Sequence, residues 1–404
     1  MKLDNAISDN EIISSIHRLR EYIEAEEFKG YDPYDTLKSS FPFRSFGNWT
    51  AAIATQIQKR NPINLRPLLG IKKDYNPKGI GLLLHAYVHL QESFPEEDYS
   101  NQIGFLFNWL KENPAKGFSG TCWGYNFAWS GPGKHLPAFA PTVVATGFIA
   151  QAIHAYYLFS KNEQAKELLI SIEPFITKDI PITKFDVGIC FSYSPFMQDC
   201  CYNASLLAAE TLASVYSLNK DESLKELAFR AVEFVVSKQH ADGHWKYKID
   251  PDTGIERHQV DFHQGYIIDS IKAIMELTGE YPVNWKKACD KGIDFYMRQQ
   301  FFPEGRSKWR LPHEYPVEIH NQSQGIITCC KFNDTNNKSL EFASTVANWT
   351  IKEMQDADRG YFYYRKLKYY KNRLSFMRWS NAWMLLALAE LILARKKSKG
   401  VEHA

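Results

Sequence analysis

Five stretches of the sequence open in the same way, with a polar residue, a small residue and then apolar residues at helical spacing. They begin at Thr146-Gly147, Asn203-Ala204, Gln264-Gly265, Gln324-Gly325 and Asn381-Ala382. The polar residue recurs after 57, 61, 60 and 57 positions, and a further copy at Lys78-Gly79 precedes the first by 68. Such a period marks a chain of supersecondary units that bury their apolar faces only by stacking on one another. Each copy predicts a helix that is apolar nearly all round and therefore buried. Amphipathic, charge-bearing helices are predicted between them, near 99–112, 162–173, 221–238, 284–300 and 338–354. Residues 221–238 show the pattern well, with acids in the first turn and a lysine near the end, which suits the helix dipole.

Buried helices alternating with half-exposed ones predict an inner and an outer ring. The expected fold is an all-α, single-domain (α/α)6 toroid over residues 1–404, with a helical solenoid as the alternative. Residues 1–60 would supply the helix that closes the sixth hairpin, from 9–25 or 48–59. Aromatic loops precede the later inner helices, with Trp123, Phe191, Trp245, Trp309 and Phe362 as markers. Aromatic and polar residues alternate in several of them, which predicts short β-ribbons gathered on one rim.

The remaining composition excludes much. The formal net charge of +2 supplies no long-range field for a polyanion or an acidic membrane, so neither nucleic acid nor membrane is an expected partner. The seven cysteines include no C-x-x-C pair and read as buried free thiols. The N-terminus lacks the apolar core of a signal peptide, and no window of about 18 apolar residues is apparent. A cytoplasmic protein without a membrane span is the expectation. No cofactor or metal is expected: His313, Glu314 and His320 lack helical zinc spacing, and the Gly-x-Gly at 131–133 is broken by proline. Aromatic residues make 14% of the chain and many lie in loops, where flat rings beside polar groups suit a sugar.

The rim loops and the first turns of the inner helices hold the candidate site. Two segments stand out. In VDFHQGY, Asp261, His263 and Tyr266 cluster at a helix start; Asp261 serves as a cap or His263 and Tyr266 move protons. In LPHEYPVEIHNQSQG, two prolines frame a loop with His313, Glu314, His320, Asn321 and Gln322. Catalytic candidates are His263, Tyr266, His313, Glu314 and Asp261. Substrate-binding candidates are Trp123, Tyr125, Asn126, Tyr193, Asn203, Trp245, Trp309, His320, Asn321, Gln322, Arg378 and Asn381.

The repeat with its rim aromatics resembles the six-hairpin toroids of carbohydrate-active enzymes, among them glycosidases, polysaccharide lyases and uronyl epimerases. The stretch YDPYDTLKSSFPFR, followed by KRNPINLRPLLGIKKDYNPKGIGLLLHAY, resembles bacterial proteins of capsule and exopolysaccharide loci over most of the chain. That resemblance implies an oligo- or polysaccharide partner, free or lipid-linked, and a role in polysaccharide biosynthesis or processing. It brings no catalytic residues, and fold alone does not imply a reaction. A hydrolase would need two carboxyls, here from Asp199, Asp261 and Glu314. A uronate lyase or epimerase would need amides, arginines and a His, Tyr or Lys for proton transfer. The latter groups outnumber carboxylates on the rim, which favours an enzyme of uronate chemistry. A non-catalytic glycan-binding or scaffold toroid is the remaining reading.

Overall fold

The computed structural model describes residues 7–131, 134–336 and 338–402; positions 132–133 of the proline-broken Gly-x-Gly lie outside them. Thirteen α-helices run through these residues. Six form the inner ring: α3 (Pro77–Ser93), α5 (Val143–Ser160), α7 (Tyr202–Asn219), α9 (His263–Thr278), α11 (Ile319–Lys331) and α13 (Trp383–Glu402). Each packs on the next, and α13 returns to pack on α3. That last contact closes the ring and excludes a solenoid. The fold is an (α/α)6 toroid.

The outer helices are α4 (Ser100–Glu112), α6 (Glu163–Ile170), α8 (Glu222–Val236), α10 (Val283–Gln299) and α12 (Ser339–Met354), each packed on the inner helix before it. The sixth outer position belongs to α1 (Asp9–Ala25), which lies against α13. A reciprocal Ser8–Glu11 capping box starts α1, and Ile12, Ile16, Leu19 and Ile23 form its buried stripe. The remaining helix, α2 (Asn48–Arg60), stays out of the ring and packs on the rim ribbon at Trp129–Gly131.

Local chemistry explains how the inner helices start and approach. Asn76 caps α3 through the Gly79 N–H, with Pro77 in the first turn, and Thr142 caps α5 through the Ala145 N–H. A Cβ on Gly81 would stand 2.8 Å from Ile149, and one on Gly265 2.6 Å from Thr328. Both glycines therefore set how closely neighbouring inner helices pass. The sequence reading that nothing is apolar enough to span a membrane needs one correction. By length and composition α5 qualifies, over Val143–Ser160. Its first three turns are almost wholly buried among the other inner helices, and that accounts for its apolarity.

The aromatic loops form antiparallel ribbons: Trp129–Gly131 with Lys134–Leu136, Ile182–Lys184 with Ile189–Phe191, Cys200–Cys201 with Lys248–Ile249 and Glu256–Arg257, and Val317–Glu318 with Arg365–Lys366 and Lys371–Asn372. All seven cysteines are buried free thiols.

Candidate functional site

The loops before the inner helices are fastened by a repeated clasp. The Trp123 N–H donates to Thr146 Oγ1 at 3.0 Å, and the Phe191 N–H to Ser205 Oγ at 3.0 Å. The Trp245 N–H donates to Gln264 Oε1 at 2.8 Å, and the Gln264 amide returns a bond to the Trp245 carbonyl at 2.7 Å. Ser307 and Phe362 donate in the same way to Gln322 (2.7 Å) and Asn381 (3.0 Å). One side chain per repeat thus satisfies a buried loop N–H that would otherwise be orphaned. In two repeats the clasp falls two positions from the residue marked by the sequence period: Ser205 rather than Asn203, and Gln322 rather than Gln324.

This clasp and similar contacts occupy several residues expected at a sugar. Trp123 and Trp245 are fully buried, and their indole N–H groups bond the carbonyls of Leu110 and Val235. They are core pieces and present no face to a ligand. Asn126 accepts from Asn76, Asn203 from the Cys201 thiol, and Asn321 donates to the carbonyls of Lys308 and Trp309. Arg378 makes two bonds to the Asp32 carboxylate, at 2.6 and 2.8 Å. His313 and Glu314 lie exposed on the outer edge beside Trp309, with Glu314 3.6 Å from Arg306.

Tyr125, Tyr193, Asp261, His263, Tyr266 and His320 do come together, around the ring axis beneath the rim. Tyr266 Oη lies 2.5 Å from His320 Nε2, linking α9 to α11. His263 Nδ1 lies 2.5 Å from Asp261 Oδ1, and its ring is 5.7 Å from that of Tyr266. The Arg378 guanidinium stands 4.9 Å from the Tyr125 ring, which stacks on Phe127 at 5.4 Å. Three further residues join the group. Lys78, in the first turn of α3, places its amine 4.0 Å from the Phe148 ring, 5.1 Å from Trp383 and 5.9 Å from Tyr266. The Trp379 ring lies 4.5 Å from that of His320, tilted by 33°, and Tyr34 meets Trp379 at 5.6 Å.

The chain after α1 roofs this group. Asp32 holds Arg378, Asp35 holds Arg66 at 2.8 Å, and Lys59 of α2 hydrogen-bonds the Tyr34 hydroxyl while lying 5.6 Å from the Trp379 ring. Residues 31–60 fall outside the repeat register, so the period gave no pointer to Tyr34 or Lys59. Lys78 did carry a signal: it occupies the polar position of the first repeat copy, a lone cation opening an apolar helix.

Burial decides the charge states here. It pushes Lys78 well below the usual amine range, helped by the nearby Arg378 and opposed by the Asp32 carboxylate. Burial likewise holds His320 well below the imidazole range, with Lys78 and Arg378 adding to the effect, and raises Tyr266 well above the phenol range. His320 Nδ1 has no partner among the described residues. Burial opposes ionisation of Asp261, but His263, Arg310 and Gln259 overcome it and hold the carboxyl below its ordinary value.

Further along the axis each inner helix contributes to a polar girdle. Glu210 accepts from Gln151 and Ser270, and Asp269 accepts from Gln324 and Thr328 with Lys331 3.9 Å away. Glu390 meets His89 at 2.9 Å, next to His85. Most of these groups are paired, as buried polar groups must be, and the girdle reads as a fastening of the ring. No group of three His, Cys, Asp or Glu able to hold a metal occurs among the described residues.

The upper group brings aromatic faces together with the titratable side chains of Lys78, Tyr266 and His320. No protein-family model and no curated protein matches the chain. Solved structures do. A cellobiose 2-epimerase from Bacillus thermoamylovorans B4167 superposes with a TM-score of 0.64 at 13% identity, covering 94% of this chain and 99% of that one. A possible GH105 member from Salmonella enterica serovar Paratyphi A gives 0.63 at 13% identity, over 98% and 97%. The family 76 mannosidase Bt3792 from Bacteroides thetaiotaomicron gives 0.59 at 13% identity, over 97% and 100%. At these identities the likeness establishes the toroid fold, which this chain shares with carbohydrate-active enzymes along nearly its whole length.

Proposed function

We propose that the protein is a saccharide-modifying enzyme that removes a proton from a sugar carbon acidified by an adjacent carboxylate or carbonyl, as in a uronate. One observation carries the reading: the Lys78 amine, shifted well below its usual range by burial, stands beside the Tyr266–His320 pair, within aromatic rings. A general base must be unprotonated at the working pH, and burial shifts Lys78 in that direction. Lys78 takes the C–H proton, and the electron pair passes into the adjacent carbonyl as an enolate. Tyr266, with its hydroxyl against His320, supplies a proton on the opposite side. Delivery to the same carbon gives an epimer. Delivery to a departing glycosidic oxygen, with the C–O electron pair leaving on that oxygen, gives elimination. His263, oriented by Asp261, relays protons to solvent.

The structural neighbours support a saccharide substrate, and the resemblance to capsule and exopolysaccharide proteins supports a bacterial polysaccharide, free or lipid-linked, handled in the cytoplasm. A glycosidase is the second reading, because family 76 and GH105 proteins are among the neighbours. It needs one carboxyl kept protonated. Asp261 is held ionised, and Glu314 is exposed beside Arg306, which weighs against that reading.

The test incubates the purified protein with uronate-containing oligosaccharides in deuterated water. Deuterium at C5 without cleavage is the epimerase result, and ultraviolet absorbance of an unsaturated uronate is the lyase result. Glycan binding with neither exchange nor cleavage would sink the catalytic reading and leave the binding toroid.

A further inference from the structure

We infer that the outward face of α2 and its flanking loops docks on an anionic lipid surface. The inference stands apart from the catalytic reading, since it concerns the opposite side of the roof. In α2, Trp49, Ile53 and Ile57 are 65%, 54% and 66% exposed. At 3.6 residues per turn these side chains and Arg60 fall within about 80° of one another. Ala51, Thr55 and Gln58 fall on the other side and are buried against the rim. The helix is therefore amphipathic in the reverse of the usual sense: its small and polar residues face the protein and its large apolar ones face out.

The exposed apolar surface continues beyond the helix. Phe41 and Phe46 stack at 5.9 Å in the loop before α2, both exposed, and Ile63 and Leu68 are exposed after it. A contiguous apolar stretch of this extent marks an interaction site rather than ordinary surface.

Charge identifies the occupant. From Thr36 to Lys73 the chain carries seven Lys and Arg and no Asp or Glu. Arg44 and Arg60 are exposed, without a carboxylate partner among the described residues. The near-neutral total of +2 conceals this local excess. Lys38, Arg66 and Lys73 are paired with Asp74, Asp35 and Glu26, which leaves Arg44, Arg60 and Lys72 as exposed bases. A helix with aromatic and aliphatic residues outward, flanked by such bases, has the composition of a segment lying in the headgroup region of an anionic bilayer. A second copy of the chain fits less well. A two-fold dimer through this face would set each basic segment against itself.

Co-sedimentation of the full chain tests this. The vesicles are phosphatidylcholine alone and phosphatidylcholine mixed in equal parts with phosphatidylglycerol. The protein should pellet with the mixed vesicles, far less with phosphatidylcholine alone, and less at high salt. The triple variant Trp49→Ser, Ile53→Ser, Ile57→Ser should stay in solution while melting like the wild type, because none of the three is buried. Arg44→Gln and Arg60→Gln should each weaken binding roughly fivefold. Absence of binding to the mixed vesicles, or equal binding to both kinds, overturns the proposal. So does a dimer in sedimentation velocity that the triple variant abolishes while vesicle binding is absent; that result would give the face to a second copy.

Discussion

Tyr266 Oη and His320 Nε2 stand 2.5 Å apart, joining α9 and α11 on the axis of the ring, and the other nitrogen of His320 has no partner among the described residues. A buried polar atom left unpaired costs stability, about 1–3 kcal/mol. Such a cost is tolerated where a ligand or a proton-transfer step uses the atom. Tyr266→Phe removes the hydroxyl and leaves the ring packing against Phe148 and Trp383 intact. Turnover should fall about 10²-fold or more, as for loss of a general acid. Circular dichroism should show an unchanged fold; unchanged kcat would remove Tyr266 from the chemistry.

Lys78 should trade stability for activity. Burial depresses its folded pKa well below the usual amine range, so between the folded and unfolded pKa values the unfolded chain keeps a proton that the folded chain has lost. The penalty on folding is full below the folded pKa and shrinks as pH rises from there to the unfolded pKa. Lys78→Met, which keeps the length without the amine, should raise Tm at pH 7 and abolish turnover. A lower Tm together with retained turnover would show that the amine is structural.

The clasp predicts the converse. Gln264→Ala leaves both the buried N–H and the carbonyl of Trp245 unpaired, at a cost of about 2–3 kcal/mol in urea denaturation. Activity per folded molecule should be preserved, because the lost bonds hold the loop and touch no substrate. A drop in kcat at full stability would contradict the structural role.

The axial girdle sets two pH windows. Burial pushes Asp269 up to about 7 against the pull of Lys331, from an unperturbed 3.8. The folded state then holds a proton the unfolded state has lost, so stability should decline as pH rises from about 4 to 7. Glu390 has the opposite sign. Burial opposes its ionisation, but His89 and Lys331 hold it down to about 2, so its contribution is present above the unperturbed 4.5 and lost as pH falls below it. In melts across pH, Asp269→Asn should flatten the decline towards pH 7, and Glu390→Gln should lower Tm at pH 7 more than at pH 3. If the pH dependence of Asp269→Asn matched that of the wild type, Asp269 would not be the responsible group.

The sequence by itself determined the alternation of buried and half-exposed helices; their closure into a ring rather than a solenoid rests on the contact of α13 with α3. A buried helix leaves its mark at every turn through apolar residues on all sides, and the period between Thr146, Gln264 and Asn381 is read without knowing what each residue touches. It also led to Tyr266, His263 and His320, because they fall in the register that places residues at the inner-helix starts. What the register could not separate was two uses of the same position. Gln264 and Asn381 bond a neighbouring loop, whereas Lys78, in the equivalent place, points its amine among aromatic rings. Only tertiary structure decided this, since hydrogen-bond partners come from distant segments. It also decided the roof, where Asp32 meets Arg378 across 346 positions, and the outward turn of Trp49, Ile53 and Ile57. An amphipathic pattern states that a helix has two faces; which one meets the protein depends on the surface it lands on.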